Sequence, residues 1–429
     1  MGTLSNKSGL CFTWIFVLSL VTQQPIFGQS ETRPADRDSL NEQGYPERLQ
    51  SRSTFEKIVD FPGKLIFLPI KVVSLGAEGI ASFSTESTLI KRLTSGTGPR
   101  GITPKFSSRG GVGIKFFQRD FLSRDAYLDL TLTAGLRGRE MYRLRLKNLR
   151  LSGESLTSTF LVRYYFQPDE SFFGIGPDSQ LDSLSIFAHE QTSTELTLGT
   201  QFGKRIKTDA LFRFDYNNIF KGRDESNPST TDRFTKETLP GLETRVKIVG
   251  VQLKFDYDSR NHLGNPTSGE EVILSGGVFQ QIDEDSFGFW KSSVELKRYI
   301  HLFHDRTLMF RVAAEMTDPL SDDRDIPFYN MSELGRWSTI RGFRRGRFRD
   351  RDLILGSIEY RYPIYHDGID AMIFVDAGQV SPDIFEEFST DDFQVGFGGG
   401  IRFWNDQSTF MSFEVGKSPE EFRFQFKLN

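Results

Sequence analysis

The 429-residue chain has a net charge of −4 and only 37% hydrophobic residues, yet it carries 41 Phe, 12 Tyr and 39 Gly. A net charge this small identifies no partner. Past the first thirty residues no window reaches eighteen apolar residues, which excludes a bundle of membrane helices.

Residues 1–29 contain Lys7, an apolar core from Leu10 to Val21 and small or polar residues around Gly28, the layout of a cleaved secretory signal peptide. The one cysteine, Cys11, lies inside it, so no disulfide framework is expected after export. Residues 30–53 are polar and charged and read as a disordered linker. Residues 54–106 read as a periplasmic segment. Pro62 and Pro69 break it, and Ile70, Val73, Ile80 and Phe83 follow at the spacing of a short amphipathic helix; an extra strand or an unstructured arm is the alternative.

From 107 onward period-two alternation dominates. Val249, Val251, Leu253, Phe255 and Tyr257 alternate with Gly250, Gln252, Lys254, Asp256 and Asp258. Phe422, Phe424, Phe426 and Leu428 alternate in the same way with Arg423, Gln425 and Lys427. A soluble antiparallel sandwich also alternates. Strands of about ten residues, aromatic residues near strand ends and an export signal favour a barrel that crosses a membrane, since lipid requires every backbone group to be paired internally. The predicted fold is therefore all-β, a transmembrane antiparallel β-barrel of sixteen strands over 107–429. The strands are placed at 111–118, 125–134, 141–152, 157–167, 183–190, 193–203, 206–219, 246–258, 269–281, 287–299, 306–316, 352–363, 368–379, 392–404, 407–416 and 421–428. With both termini periplasmic, the long connections 220–245 and 317–351 fall outside. Residues 168–182 form an unexpectedly long connection on the periplasmic side.

The stretch WSTIRGFRRGRFRDRD (337–352) contains six arginines, at 341, 344, 345, 347, 349 and 351. On its own it reads as an arm for nucleic acid. Export and the interleaved Asp350 and Asp352 argue against that partner. On strand 352–363 the apolar outward set places Glu359 and Arg361 inside, and on 368–379 Ile373, Val375 and Ala377 leave Asp376 inside. Two carboxylates thus face the lumen from adjacent strands and call for a cation.

Three segments in order resemble one family. They are the turn DSRNHLGNPTSG (258–269, with Asp258, Arg260, Pro266 and Gly269), the loop STIRGF with Arg341, Gly342 and Phe343, and the strands GSIEYRYPI and MIFVDAGQV. The chain resembles the BamA/TamA surface-antigen family of outer-membrane assembly and translocation barrels, in the form of a member lacking POTRA domains. The resemblance implies sixteen strands and an inward-folded loop in which Arg341 bridges Glu359 and Asp376, Gly342 allows a tight turn and Phe343 meets the inner wall. It also implies a lateral seam between strands 111–118 and 421–428, carried by Gly111, Gly113, Phe422, Phe424 and Phe426. The other five arginines read as solvated or in contact with lipopolysaccharide.

No GxSxG, P-loop or HExxH motif is present. His301 and His304 read as exposed turn residues, and Asp322, Asp323 and Asp325 as a solvated loop, so neither an enzyme, a metal nor a cofactor is expected. The expected localisation is the bacterial outer membrane and the expected partners are its lipids, lipopolysaccharide and separate periplasmic or outer-membrane assembly subunits, with no nucleic acid. The expected role is outer-membrane biogenesis, by assembly or insertion of membrane proteins or lipids. The alternative is a solute pore, or a surface scaffold or antigen barrel without insertase activity.

Overall fold

The computed structural model describes residues 98–429 except 108–110, 153–155, 225, 285, 337, 366–367, 407 and 429. The expected signal peptide, linker and most of the periplasmic segment lie outside the described residues.

Sixteen strands form one antiparallel sheet in which each bonds its neighbour in chain order. The first half comprises Arg100–Ser107 (β1), Gly111–Arg119 (β2), Tyr127–Ala134 (β3), Glu140–Ser152 (β4), Leu156–Phe172 (β5), Ser185–Phe202 (β6), Ile206–Lys221 (β7) and Arg245–Asp258 (β8). Then come Gly269–Gln281 (β9), Gly288–His301 (β10) and Thr307–Pro319 (β11). Two short strands in the next loop, Ser332–Leu334 (β12) and Phe348–Asp350 (β13), pair only with each other. The sheet resumes with Asp352–Tyr365 (β14), Ile369–Ser381 (β15), Gln394–Trp404 (β16), Thr409–Lys417 (β17) and Phe422–Leu428 (β18). β1 and β18 are its two ends, and among the described residues no ladder joins them.

Alternation sets which side faces outward. Val249, Val251 and Leu253 on β8 are 39, 49 and 65% exposed, and apolar residues at alternate positions are exposed on other strands too, such as Val112 and Ile114 on β2 and Ile373 and Val375 on β15. The polar alternates turn inward: Asp129, Thr131 and Thr133 on β3 are buried. This inside-out distribution is the signature of a barrel in lipid, where burial inside the sheet is polar and the apolar band meets acyl chains.

The expected count of sixteen matches, through two compensating errors. Residues 100–106, assigned to the periplasmic segment, begin the barrel as β1; Gly101 and Pro104 mask a strand that sits at the sheet edge, where a missing N–H is tolerated. The expected pair 183–190 and 193–203 is the single strand β6. Its middle, HEQTST (189–194), reads as a turn because both faces are polar there. That part of β6 rises beside the loops, where Phe187 joins a buried cluster with Phe172, Ile219, Leu239, Leu242 and Phe328. With β1 added, residues 173–184 move to the same end as 222–244 and 320–351. The longest connections then share one end, and the unexpectedly long periplasmic connection disappears.

A luminal loop anchor and a braced turn

The connection between β11 and β14 (320–351) folds into the barrel. Leu334, Ile340, Phe343 and Phe348 pack on Ala313, Leu353, Leu355 and Val380 of the inner wall as one buried cluster. Each buried side chain of this size contributes roughly 1.5–3 kcal/mol. Packing thus holds the loop inside, and polar contacts fix its register.

Below this cluster the wall turns polar. Arg341 donates from Nε and Nη2 to Oδ2 and Oδ1 of Asp376, both at 2.8 Å, and from Nη1 to Glu359 Oε2 at 2.9 Å. Its backbone N–H also donates to Asp376 Oδ2 at 3.0 Å. The guanidinium carbon lies over Phe374, 3.4 Å from the ring centroid, and Ser357 donates to Asp376. Glu359 takes a second cation from Arg361 at 2.6 Å and a more distant one from Arg402 at 3.5 Å. Burial works against the charge on Arg341, but Asp376 and Glu359 outweigh it and hold the guanidinium above the ordinary arginine range. A planar fork satisfied on both edges and stacked on a ring is a task that lysine cannot fill.

Glycine makes the approach close enough. Gly342 has φ 101°, and a Cβ there would lie 2.7 Å from the Lys417 carbonyl carbon. On the wall, a Cβ at Gly396 of β16 would run into the Arg341 carbonyl oxygen, and one at Gly416 of β17 would sit 2.6 Å from the Gly342 nitrogen. Gly396 and Gly416 carry no motif signature; they were missed because an inward glycine reads only as a weak strand residue.

The remaining arginines correct the expectation of solvation. Arg347 and Arg349 are 4 and 3% exposed. Arg347 Nε meets Glu420 at 2.8 Å, and Arg349 donates to the Phe328 carbonyl at 2.9 Å while lying 3.4 Å from Glu333. The half-exposed ones pair as well: Arg344 with Glu421 at 3.2 Å, Arg345 with Glu170 at 3.4 Å and Arg351 with Asp318 at 3.7 Å. Sequence order hid these pairs because the partners lie on β5, on β11, next to β18 or, for Arg349, in another part of the same folded loop.

At the short-turn end, Asp258 accepts from Arg260 Nε and Nη2 at 2.9 and 2.6 Å, and Glu271 takes Arg260 at 2.9 Å. Gly269 has φ 98°. Pro266 follows Asn265, which donates to Asp370 at 2.6 Å, while Thr409 donates to the Gly264 carbonyl at 3.1 Å and His262 lies 3.3 Å from Asp406. The turn between β8 and β9 thereby reaches the ends of β15 to β17. His301 and His304 lie elsewhere, at the β10–β11 turn, with His301 3.6 Å from Asp305.

The seam differs from expectation in one member. Gly111 and Gly113 belong to β2, bonded to β1 on one side and β3 on the other, so the free edge is β1. These glycines permit close packing: a Cβ on Gly113 would lie 2.7 Å from Thr133 Cα. Phe422, Phe424 and Phe426 are 63, 78 and 54% exposed on β18, which pairs only with β17.

A sixteen-stranded sheet with an apolar outer band, a polar lumen and a loop held inside defines an outer-membrane β-barrel. The chain belongs to the Omp85 superfamily, whose domain matches residues 112–428. BamA from Haemophilus ducreyi lacking POTRA domains 1–3 shares the fold at 16% identity, with 76% of this chain and 69% of that chain covered and a TM-score of 0.56. CdiB from Acinetobacter baumannii (13% identity, 75% and 57% covered, TM-score 0.46) and CdiB from Escherichia coli (10%, 77% and 67%, 0.48) are more distant. A search of curated proteins found no match. Membership in this superfamily agrees with the expectation that the chain is not an enzyme.

Proposed function

We propose that this barrel takes part in outer-membrane biogenesis, assisting the insertion or translocation of proteins or lipids through a seam between β1 and β18. The observation that carries the reading is the absence, among the described residues, of a ladder between these strands. Every other adjacent pair in the sheet is bonded. An unpaired edge in lipid is costly unless something pairs with it, so it invites an incoming strand or amphiphile. The inner loop supports the same reading. Its Arg341 anchor fixes it beside β14 to β17, on the side of the barrel that ends at β18.

Delivery to the membrane rests on residues 1–29 acting as an export signal. Assembly subunits would supply client capture if this chain acts with others. Depletion followed by measurement of the outer-membrane proteome and lipid asymmetry tests the role: loss of other barrels or of asymmetry is expected, and an unchanged membrane defeats the reading.

A solute pore is the second reading, favoured by a cavity of about 610 Å³ that runs from Arg139 and Glu170 past Arg345 to Arg423 on β18. Conductance in planar bilayers separates the two. A nearly closed lumen that opens on deletion of 337–352 fits the loop-plugged barrel, and a large steady pore that ignores the deletion fits a channel.

A further inference from the structure

The inner wall of the first four strands is charged differently from the rest of the lumen. Elsewhere opposite charges alternate: Lys297 lies 2.8 Å from Glu271 and 3.3 Å from Glu295, and Arg213 lies 2.7 Å from Glu195. On β1 to β4 five cations, Lys105, Lys115, Arg143, Arg145 and Lys147, face one carboxylate, Asp129. That carboxylate is already taken by Arg143 at 3.2 Å and Arg145 at 2.7 Å. Among the described residues Lys105, Lys115 and Lys147 form no ion pair, and Arg143 Nε is a buried donor with no partner.

Register places these groups together. Lys115 pairs across β3 with Thr131, which pairs in turn with Arg143; Lys105 stands opposite Gly113, Asp129 opposite Arg145 and Tyr127 opposite Lys147. Strands lie about 4.8 Å apart, so side chains from three of them can converge on one tetrahedral anion. Lysine supplies point charges and arginine forked donors, the combination that suits phosphate oxygens.

We propose that this wall binds a phosphate group, and that its source is the head of an anionic lipid entering at the free edge of β1. The outer faces of the same strands support the lipid: Ile102, Val112, Ile114 and Phe116 are 41, 61, 51 and 38% exposed and offer an apolar surface to acyl chains. A head group that passes the unpaired edge exchanges solvent for lysines while its tails stay outside. The site stands on the barrel geometry alone, independent of a role in biogenesis.

Native mass spectrometry of the full chain folded in neutral detergent tests this, with phosphatidylglycerol, phosphatidylcholine, inorganic phosphate and polyglutamate as separate probes. Phosphatidylglycerol should bind in preference to phosphatidylcholine, and the adduct should weaken with salt. The triple variant Lys105→Gln, Lys115→Gln, Lys147→Gln should lose about a hundredfold in affinity at a few charges' worth of attraction. The matching triple arginine variant should keep the adduct. Should the triple glutamine variant not fold, Lys115→Gln alone decides, with a loss of about fivefold. Displacement of the lipid by millimolar inorganic phosphate assigns the site to free phosphate and overturns the lipid source. Equal binding of phosphatidylcholine, an adduct indifferent to the glutamine variants, or displacement by polyglutamate where phosphate fails overturns the site.

Discussion

Arg347 and Glu420 stand 73 positions apart in the chain and 2.8 Å apart in the fold. The pair ties the inner loop to the last hairpin, next to the strand that ends the sheet. Arg347 is almost fully buried between the rings of Phe173 and Phe348, so its charge has no solvent to fall back on. Glu420→Ala should therefore cost about 3 kcal/mol by leaving a buried cation unpaired. The neighbouring pair, Arg344 with Glu421, is a control because the Arg344 side chain is 43% exposed. Arg344→Ala should change stability by less than about 1 kcal/mol. Urea unfolding in detergent, followed by tryptophan fluorescence, measures both, and equal effects would refute the distinction.

Arg341→Ala should leave Asp376 and Glu359 short of their shared cation at a cost of about 3–5 kcal/mol. Glu359 keeps Arg361, so the loss falls mainly on Asp376. Arg341→Lys should recover only part of it, because one ammonium cannot reach Asp376 in two places and Glu359 at once. Heat-modifiability on gels reports the result. A variant that folds and melts like wild type would refute the loop anchor.

The glycine wall makes a sharper test, since nothing charged changes. Gly396→Val places a Cβ against the Arg341 carbonyl, which is backbone and has nowhere to go. Expected are a loss of about 1–3 kcal/mol or more, as for overpacking, and a rise in bilayer conductance as the loop is displaced. Gly356→Ala, whose nearest neighbour would be 3.9 Å away, should do neither.

What the sequence revealed and what it hid divide along physical lines. Alternation located the outward faces and put Glu359 and Asp376 inside, because a period of two needs no knowledge of the partner strand. It failed at β1, where Gly101 and Pro104 interrupt the pattern, and in β6, where 189–194 stand beside loops and not lipid. Glu359 and Asp376 mark a luminal place for a cation, but it is the resemblance of STIRGF to the family's loop that implies Arg341 fills it. The burial of Arg347 and Arg349 could not be read in the same way, since Glu420, Glu333 and the Phe328 carbonyl come to them only through the path of the folded loop. Gly396 and Gly416 were hidden for a simpler reason: a glycine shows its purpose only when the atoms it makes room for are known.

Stability should also depend on acid through Glu333 of β12. Burial pushes its carboxyl up, but Arg336, Arg349 and Arg345 outweigh that and hold it at about 2. Because the folded value lies below the unfolded one, near 4.5, the stabilisation is complete above that value. It is lost as pH falls toward 2, amounting to about 3 kcal/mol in all. Glu333→Gln should flatten the profile between pH 4.5 and 2. Parallel acid titrations of the unfolding midpoint decide it, and identical slopes for both proteins would contradict the assignment.

The turn at 259–268 gives a test far from the loop. Asn265 donates to Asp370 at 2.6 Å, and Asp370 is 4% exposed. Asn265→Ala removes that donor from a buried carboxylate, which should cost about 1–3 kcal/mol. Because the same turn is also held by Thr409 on the Gly264 carbonyl and by packing of Gly264 against Asn405, one broken bond should loosen it without releasing it. Limited proteolysis should therefore cut within 259–268 faster in Asn265→Ala and faster still in the double variant with Thr409→Val. If the turn is only a surface excursion, both variants will be cut at the wild-type rate, and the contacts from the β8–β9 turn to β15–β17 do not hold it.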